Sequence, residues 1–239
     1  MSHPAKRSTM QIETFDDADD AARRTAEVVA EAAREGQRLH GRSVLAFSGG
    51  STPAPMLEHL AGMAVKWNAA HVLQVDERVA PDGHPDRNWT MIARQLLDPT
   101  GIPSSHRHPM PVTDDDLEAA AARYARTLTM VAGVPPVTDV VHLGVGADGH
   151  TASLIPNDPV LKIRRQWVAM TGEYQGRRRM TLTYPAINAA RLVVWQVTGA
   201  GKADALREAL QGRGVPASKI RRHAVHVIAT TDAAAHLRT

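Results

Sequence analysis

The 239-residue chain contains no cysteine. Disulfides, thiolate nucleophiles and cysteine-ligated zinc are thereby excluded. Aromatic residues are scarce, at 4%, and no charge of one sign dominates. Lys and Arg number 28 against 25 Asp and Glu, for a formal net charge of +3. Two basic clusters exist, Arg177 to Arg179 and Lys219 with Arg221 and Arg222. With so few aromatics and so small a net charge, they suit an anionic small molecule better than nucleic acid. No apolar run approaches a membrane span. The N-terminus, MSHPAKRSTMQIETFDD, lacks the apolar core of a signal peptide. These absences lead us to expect a soluble, cytoplasmic protein without nucleic-acid or membrane partners.

What is present fits a large α/β domain. The length and a 43% hydrophobic content allow a substantial core. We expect a loose tail over residues 1–9 and a single domain over 10–239. Apolar residues at 18, 21, 22, 28, 29, 32, 33 and 39 form a helical stripe, with Asp16 placed to cap it. SVLAFSGG reads as a buried strand entering a glycine turn, and Pro53 opens the helix PAPMLEHLAGM. HVLQVDE is a strand, VAPDGHPDRN a loop and NWTMIARQLL a helix. Thr113 is placed to cap the next helix, with Asp114, Asp115 and Asp116 at its positive end. TDVVHLGVG, QWVAM, RMTLT, LVVWQVT and AVHVIAT read as strands, KADALREAL as a helix and DAAAHL as a last short helix. The alternation predicts an α/β, Rossmann-like fold, with a mainly parallel sheet flanked by helices on both faces.

Open α/β sheets bind ligands beyond the carboxyl ends of their strands. SGGSTP, DERVAPDGHPDRN, GADGHTAS and TGAGKAD all follow apolar strands and are expected to converge there. Ser48, Gly49, Gly50, Ser51 and Thr52 form a strand-to-helix turn whose free N–H groups could hold an anion, although the Walker ending is missing. Asp76, Glu77 and Arg78 could do acid–base work, bind sugar hydroxyls or form an ion-pair network at a sheet edge. Arg179 and Lys202 could hold a phosphate or remain solvated.

Gly144, Gly146 and Gly149 spell G-x-G-x-x-G, and Glu173 lies where a ribose-binding acid would be expected. Pro156 and Pro159, however, interrupt the helix that such a turn must open. A dinucleotide is therefore not expected. His150, with Asp148 two residues before it, is a candidate general base, or else a structural histidine bonded to backbone. His106 and His108 lie in a proline-bounded loop without a cysteine or clear carboxylate partner for a metal. His84 is a peripheral candidate.

Taken together, SGGSTP (48–53), DERVAPDGHPDRN (76–88), LGVGADGHTASLIP (143–156), RMTLTYPAINAA (179–190), GAGKADAL (199–206) and PASKI (216–220) resemble the 6-phosphogluconolactonase family. The related glucosamine-6-phosphate deaminases continue the D-G-H turn as H-I-A-F-N-E-P and end the earlier strand in D-E-Y. HTASLIP and Asp76-Glu77-Arg78 depart from both patterns. The resemblance implies the sugar-phosphate isomerase/CoA-transferase type of fold. It also implies hydrolysis of 6-phospho-D-glucono-1,5-lactone to 6-phospho-D-gluconate in the oxidative pentose phosphate pathway, with no cofactor and no metal. By the same resemblance, His150 activates water, with Asp148 as its orienter or electrostatic partner. Ser48, Gly49, Gly50, Ser51, Thr52, Arg179 and Lys202 hold phosphate, and Asp76 and Arg78 line the lactone end. A deaminase-like enzyme and a catalytically silent sugar-phosphate-binding protein are the alternatives on the same fold. Monomer and dimer both stay open. Arg87 stands where the family usually has serine, placed to touch substrate or to pair with Asp86.

Overall fold

The computed structural model describes residues 10–237. The tail expected over residues 1–9 lies outside them. β1 (Gln11–Phe15) leads into α1 (Ala18–His40). Asp17, one residue later than expected, caps this helix by accepting from the N–H groups of Asp19 and Asp20. Asp16 instead accepts from the Thr231 hydroxyl at 2.7 Å. Then follow β2 (Ser43–Phe47), α2 (Pro53–Ala61), β3 (Ala70–Gln74) and β4 (Asp76–Arg78). α3 (Asn88–Ile92) runs through a π turn at Ala93–Leu97 into α4 (Asp98–Thr100). The chain continues with β5 (Arg107–His108), α5 (Leu117–Ala132), β6 (Val140–Leu143), β7 (Val168–Met170) and β8 (Arg179–Leu182). It ends with α6 (Tyr184–Ala189), β9 (Leu192–Val197), α7 (Ala203–Gln211) and β10 (Val225–Thr230).

Among the described residues, seven strands form one sheet in the order β1-β10-β9-β6-β2-β3-β5, and every pairing in it is parallel. All five residues of β2 and all six of β10 are buried, as a sheet covered on both faces requires. The alternation of a strand's side chains divides the core. Leu45 and Phe47 join α1 and α2 on one face. Val44 and Ala46 join α5, α6 and α7 on the other. The inner face of α1 is rich in alanine, with Ala22, Ala26, Ala30 and Ala33 buried, which lets the helix approach the sheet closely.

Several sequence expectations need correction. HVLQVDE is not one strand. It breaks at Val75, so that β3 stays in the main sheet while β4 joins a separate antiparallel sheet, β4-β8-β7. This small sheet packs Val168, Met170, Met180 and Leu182 into the core. Asp116, not Thr113, caps α5, because its carboxylate reaches the N–H groups of Glu118 and Ala119. Residues 231–236 form turns rather than a last helix. Among the described residues, no helix is long and apolar enough to cross a membrane.

Candidate active site

The four polar segments meet around a cavity of about 220 Å³ at the carboxyl ends of the strands. Ser48, Gly49, Gly50, Ser51 and Thr52 line it, together with Asp76, Arg78, His150, Arg179 and Lys202. Among the described residues, the lining carries three permanent cations, Arg78, Arg179 and Lys202, against one carboxylate, Asp76. That excess favours an anionic ligand.

The wall from Ser48 to Thr52 is held from behind. The Ser48 hydroxyl donates to the His142 carbonyl at 2.9 Å. The Gln196 amide donates to the Thr52 carbonyl at 3.2 Å, and the Thr52 and Thr198 hydroxyls lie 3.3 Å apart. A Cβ on Gly49 would stand 2.0 Å from the Asn88 side chain, so only glycine lets the loop approach α3. Gly50 has φ +111°, a backbone region that glycine occupies without strain. The next helix, α2, has neither a side-chain cap nor an acidic residue in its first turn. Its leading N–H groups and dipole therefore remain available to an anion. α7 likewise starts without a side-chain cap, at Lys202.

Adjacent residues in the D-E-R strand do different work. Asp76 is buried, and each of its carboxylate oxygens is already engaged. Oδ2 accepts from the Ser153 hydroxyl at 2.5 Å and Oδ1 from the Asn88 amide at 3.2 Å. Glu77 has no solvent exposure. It accepts from the Gln74 amide and from the backbone N–H groups of Arg78, Asn88 and Trp89, at 2.7 to 2.9 Å. It also pairs with Arg87 at 3.0 Å. Arg78 donates to the Asp86 carbonyl at 2.9 Å and keeps its Nε buried without a partner among the described residues.

Arg87 corrects both alternatives read from the sequence. It faces neither the cavity nor Asp86. It is buried against Glu77, and it donates to Asp82 at 2.9 Å and to the Ala80 carbonyl at 3.0 Å. Asp86 pairs instead with Arg177 at 2.8 Å.

The glycines at 144–149 shape a tight turn. A Cβ on Gly146 would lie 2.2 Å from the His150 ring, and one on Gly149 would lie 2.3 Å from Val215. After Gly149 the chain runs through turns to a 3₁₀ segment at Pro159–Lys162, so no packing helix follows. Glu173 is exposed. The turn brings His150 Nδ1 to 2.6 Å from Asp148 Oδ1. A carboxylate can only accept, so this contact places the proton on Nδ1 and leaves Nε2 with its lone pair. Asp148 Oδ2 accepts from the Tyr174 hydroxyl at 3.0 Å. Partial burial raises the Asp148 pKa, but the hydrogen bonds and charge of His150, with the Tyr174 hydroxyl, outweigh it and hold the group below its ordinary value. Arg179 is buried, and burial lowers its pKa against the opposing pull of Asp76.

The sequence reading missed Tyr174, Asn88, His142 and Gln196. Of these, Asn88, His142 and Gln196 line the cavity directly. Signals for two of them exist. His142 and Gln196 are lone polar residues inside otherwise apolar strands, VVHL and LVVWQV, and buried polar groups need partners. They partner each other, with His142 Nε2 3.2 Å from Gln196 Oε1. The structure also brings His71 to His106 and His108. His71 Nδ1 lies 3.1 Å from His108 Nε2, and the His71 and His106 rings are 4.0 Å apart.

A family model described as glucosamine-6-phosphate isomerases/6-phosphogluconolactonase matches residues 16–229. A 6-phosphogluconolactonase of Synechocystis sp. is 42% identical over 172 residues, which cover 70% of this chain and 71% of that protein. One of Mycobacterium tuberculosis is 36% identical over 212 residues, 84% of this chain and 86% of that one. Among solved structures, a 6-phosphogluconolactonase from Thermotoga maritima matches with a TM-score of 0.83 at 25% identity. The match covers 92% of this chain and 99% of that chain.

Proposed function

The chain belongs to the glucosamine-6-phosphate isomerase/6-phosphogluconolactonase family, and from that premise we propose that it hydrolyses 6-phospho-D-glucono-1,5-lactone to 6-phospho-D-gluconate. The observation that carries this reading is a shared cavity. The backbone N–H groups of the Ser48–Thr52 loop, Lys202 and Arg179, which can meet a phosphate, line the same cavity as His150, whose Nδ1 proton is directed to Asp148. A lactone is an activated ester, so the chemical demand on the protein is modest.

In this reading the phosphate is held between the Ser48–Thr52 loop, Lys202 and Arg179, which fixes the position of the lactone carbonyl. Orientation of this kind removes much of the entropic part of the barrier. His150 Nε2 accepts a proton from water as its oxygen bonds to the carbonyl carbon, a step worth about 10²- to 10⁴-fold. Asp148 stabilises the imidazolium that forms. The Arg78 guanidinium and the amides of the glycine turn are donors for the oxyanion. Collapse of the tetrahedral intermediate breaks the ring C–O bond, and the proton on His150 goes to the departing ring oxygen. Asp76, locked by Ser153 and Asn88, accepts from a sugar hydroxyl.

The test is hydrolysis of freshly generated lactone, followed by acid release. The wild type should exceed the spontaneous rate by a wide margin, and His150→Ala should lose most of the gain. A wild type that adds nothing over buffer refutes the reading. Ammonia release from glucosamine 6-phosphate would point to the deaminase branch, and tight 6-phosphogluconate binding without turnover to a silent binding protein.

A further inference from the structure

Between β7 and β8 the chain forms a polar hairpin over residues 171–178, which lies just before the motif beginning at Arg179. Its tip is exposed at Gln175 and Gly176, yet Tyr174 makes three contacts there with groups of the site. Its hydroxyl donates to Asp148 Oδ2 at 3.0 Å, the carboxylate oxygen that the His150 ring does not use. Its ring meets the His150 imidazole edge-on, with centroids 5.6 Å apart. The guanidinium carbon of Arg179 stands 4.9 Å from the centre of the same ring. Gln175, at φ +52°, accepts from Arg179 Nη2 at 3.0 Å. The hairpin is anchored to the segment that follows β4. Tyr174 and Arg177 bridge each other, and Arg177 pairs with Asp86 at 2.8 Å and donates to the Val79 carbonyl at 3.3 Å.

We propose that Tyr174 is a positioning residue that ties the Asp148–His150 pair to the anion-binding Arg179, so that one hairpin tip seats both ends of the substrate site. The proposal rests on the lactonase reading above. Two separable effects follow from its two halves. The hydroxyl acts on Asp148. A carboxylate bonded through one oxygen alone can rotate about its Cβ–Cγ bond. Engaged on both oxygens, it holds Oδ1 toward the imidazole. The hydroxyl also draws charge from the carboxylate. Without it, the carboxylate stabilises the protonated imidazole more strongly, and His150 is lost as a base at a higher pH. The ring acts on Arg179. Its face attracts the guanidinium, and together with Gln175 it fixes the plane in which the remaining N–H groups meet a phosphate.

The experiment compares Tyr174→Phe and Tyr174→Leu with the wild type across pH 5 to 8. Tyr174→Phe keeps the ring. It should lower kcat about tenfold and move the acid limb of kcat/KM to higher pH by about half a unit, with KM within about twofold of wild type. Tyr174→Leu loses the ring as well. It should also raise KM, and the Kd of 6-phosphogluconate, by about tenfold. Gln175→Ala should raise KM alone, which supplies a readout if Tyr174→Leu folds poorly. An unchanged kcat and acid limb in Tyr174→Phe would overturn the link to Asp148. A KM in Tyr174→Leu or Gln175→Ala equal to that of wild type would overturn the link to Arg179. An inert wild type would instead sink the lactonase reading, so the two failures are distinguishable.

Discussion

Nδ1 of His150 lies 2.6 Å from Oδ1 of Asp148, and the same carboxylate oxygen accepts the backbone N–H of His150 at 3.2 Å. The turn that links the two residues thus fixes both the tautomer and the orientation of the ring. Asp148→Asn removes the charge that stabilises the imidazolium, and its amide can turn its NH₂ toward Nδ1 and reverse the tautomer. We expect kcat/KM to fall on the order of 10²-fold. Because both side chains are partly exposed, the melting temperature should stay near that of wild type. Steady-state kinetics with fresh lactone check this. A loss smaller than about threefold would remove Asp148 from the mechanism.

Arg179 and Lys202 line the cavity beside the uncapped starts of α2 and α7. If they hold phosphate, Lys202→Met and Arg179→Met should weaken 6-phosphogluconate binding about 10- to 100-fold while leaving gluconate binding nearly unchanged. Arg179→Lys should not restore the wild type, since an ammonium lacks the planar fork that Gln175 and Tyr174 hold. Calorimetry with both ligands decides. Equal losses for gluconate and 6-phosphogluconate would show that neither cation reads the phosphate.

Much of this site is written in continuous stretches of sequence. The SGGST turn, the D-G-H turn and the strand–helix alternation each declare themselves over a few neighbouring residues. The antiparallel sheet does not. Its strands β4, β7 and β8 are three, three and four residues long, too short for a periodicity to show, so the D-E-R strand reads as the end of HVLQVDE, and QWVAM and RMTLT as strands without a sheet assignment. Tyr174 is hidden for a different reason. It sits in a polar hairpin and finds Asp148 26 positions away through a fold-dependent contact. Arg87 was misread because its partner, Glu77, lies across a loop from it, while the nearer Asp86 turns to Arg177.

The Glu77–Arg87 pair ties this loop to α3. Glu77 accepts from the N–H groups of Asn88 and Trp89, and so takes the place of a helix cap that Arg87 itself does not supply. Breaking a buried pair on one side costs about 3–5 kcal/mol, and here it leaves the buried Arg87 with only the exposed Asp82 as counter-charge. Glu77→Gln should therefore lower stability by about that amount and the melting temperature by roughly 10 °C. Activity should fall with it, because Asn88 and the Gly49 contact shift together. Urea denaturation and thermal melting check this. A variant that melts with the wild type would show that the backbone N–H bonds, rather than the charge, carry the loop.

The pair between His142 and Gln196 predicts how the fold responds to acid. Gln196 gives its NH₂ to the Thr52 carbonyl, so its Oε1 faces His142 and takes the Nε2 proton. Burial pushes the His142 pKa down from 6.5 to about 4 against the opposing pull of the Gln196 bond, and so keeps the ring neutral near pH 7. Above pH 6.5 neither the folded nor the unfolded chain binds a proton at this position. Below it the unfolded chain takes one up, while the folded chain cannot until about pH 4. Stability is therefore lost as pH falls through that window, by on the order of 3 kcal/mol from His142. His71 is pushed to about 4 by burial and by His106, His108 and Arg42, and adds a smaller loss in the same direction. His142→Met should be less stable than wild type at pH 7.5, because Gln196 loses its partner. Its stability should nevertheless decline less steeply between pH 6.5 and 4. Urea titrations at pH 7.5, 6 and 5 measure both slopes. Parallel slopes would exclude His142 as the acid-sensitive group. A flattened slope would place that sensitivity directly behind the Ser48–Thr52 loop, which the Ser48–His142 and Gln196–Thr52 bonds hold.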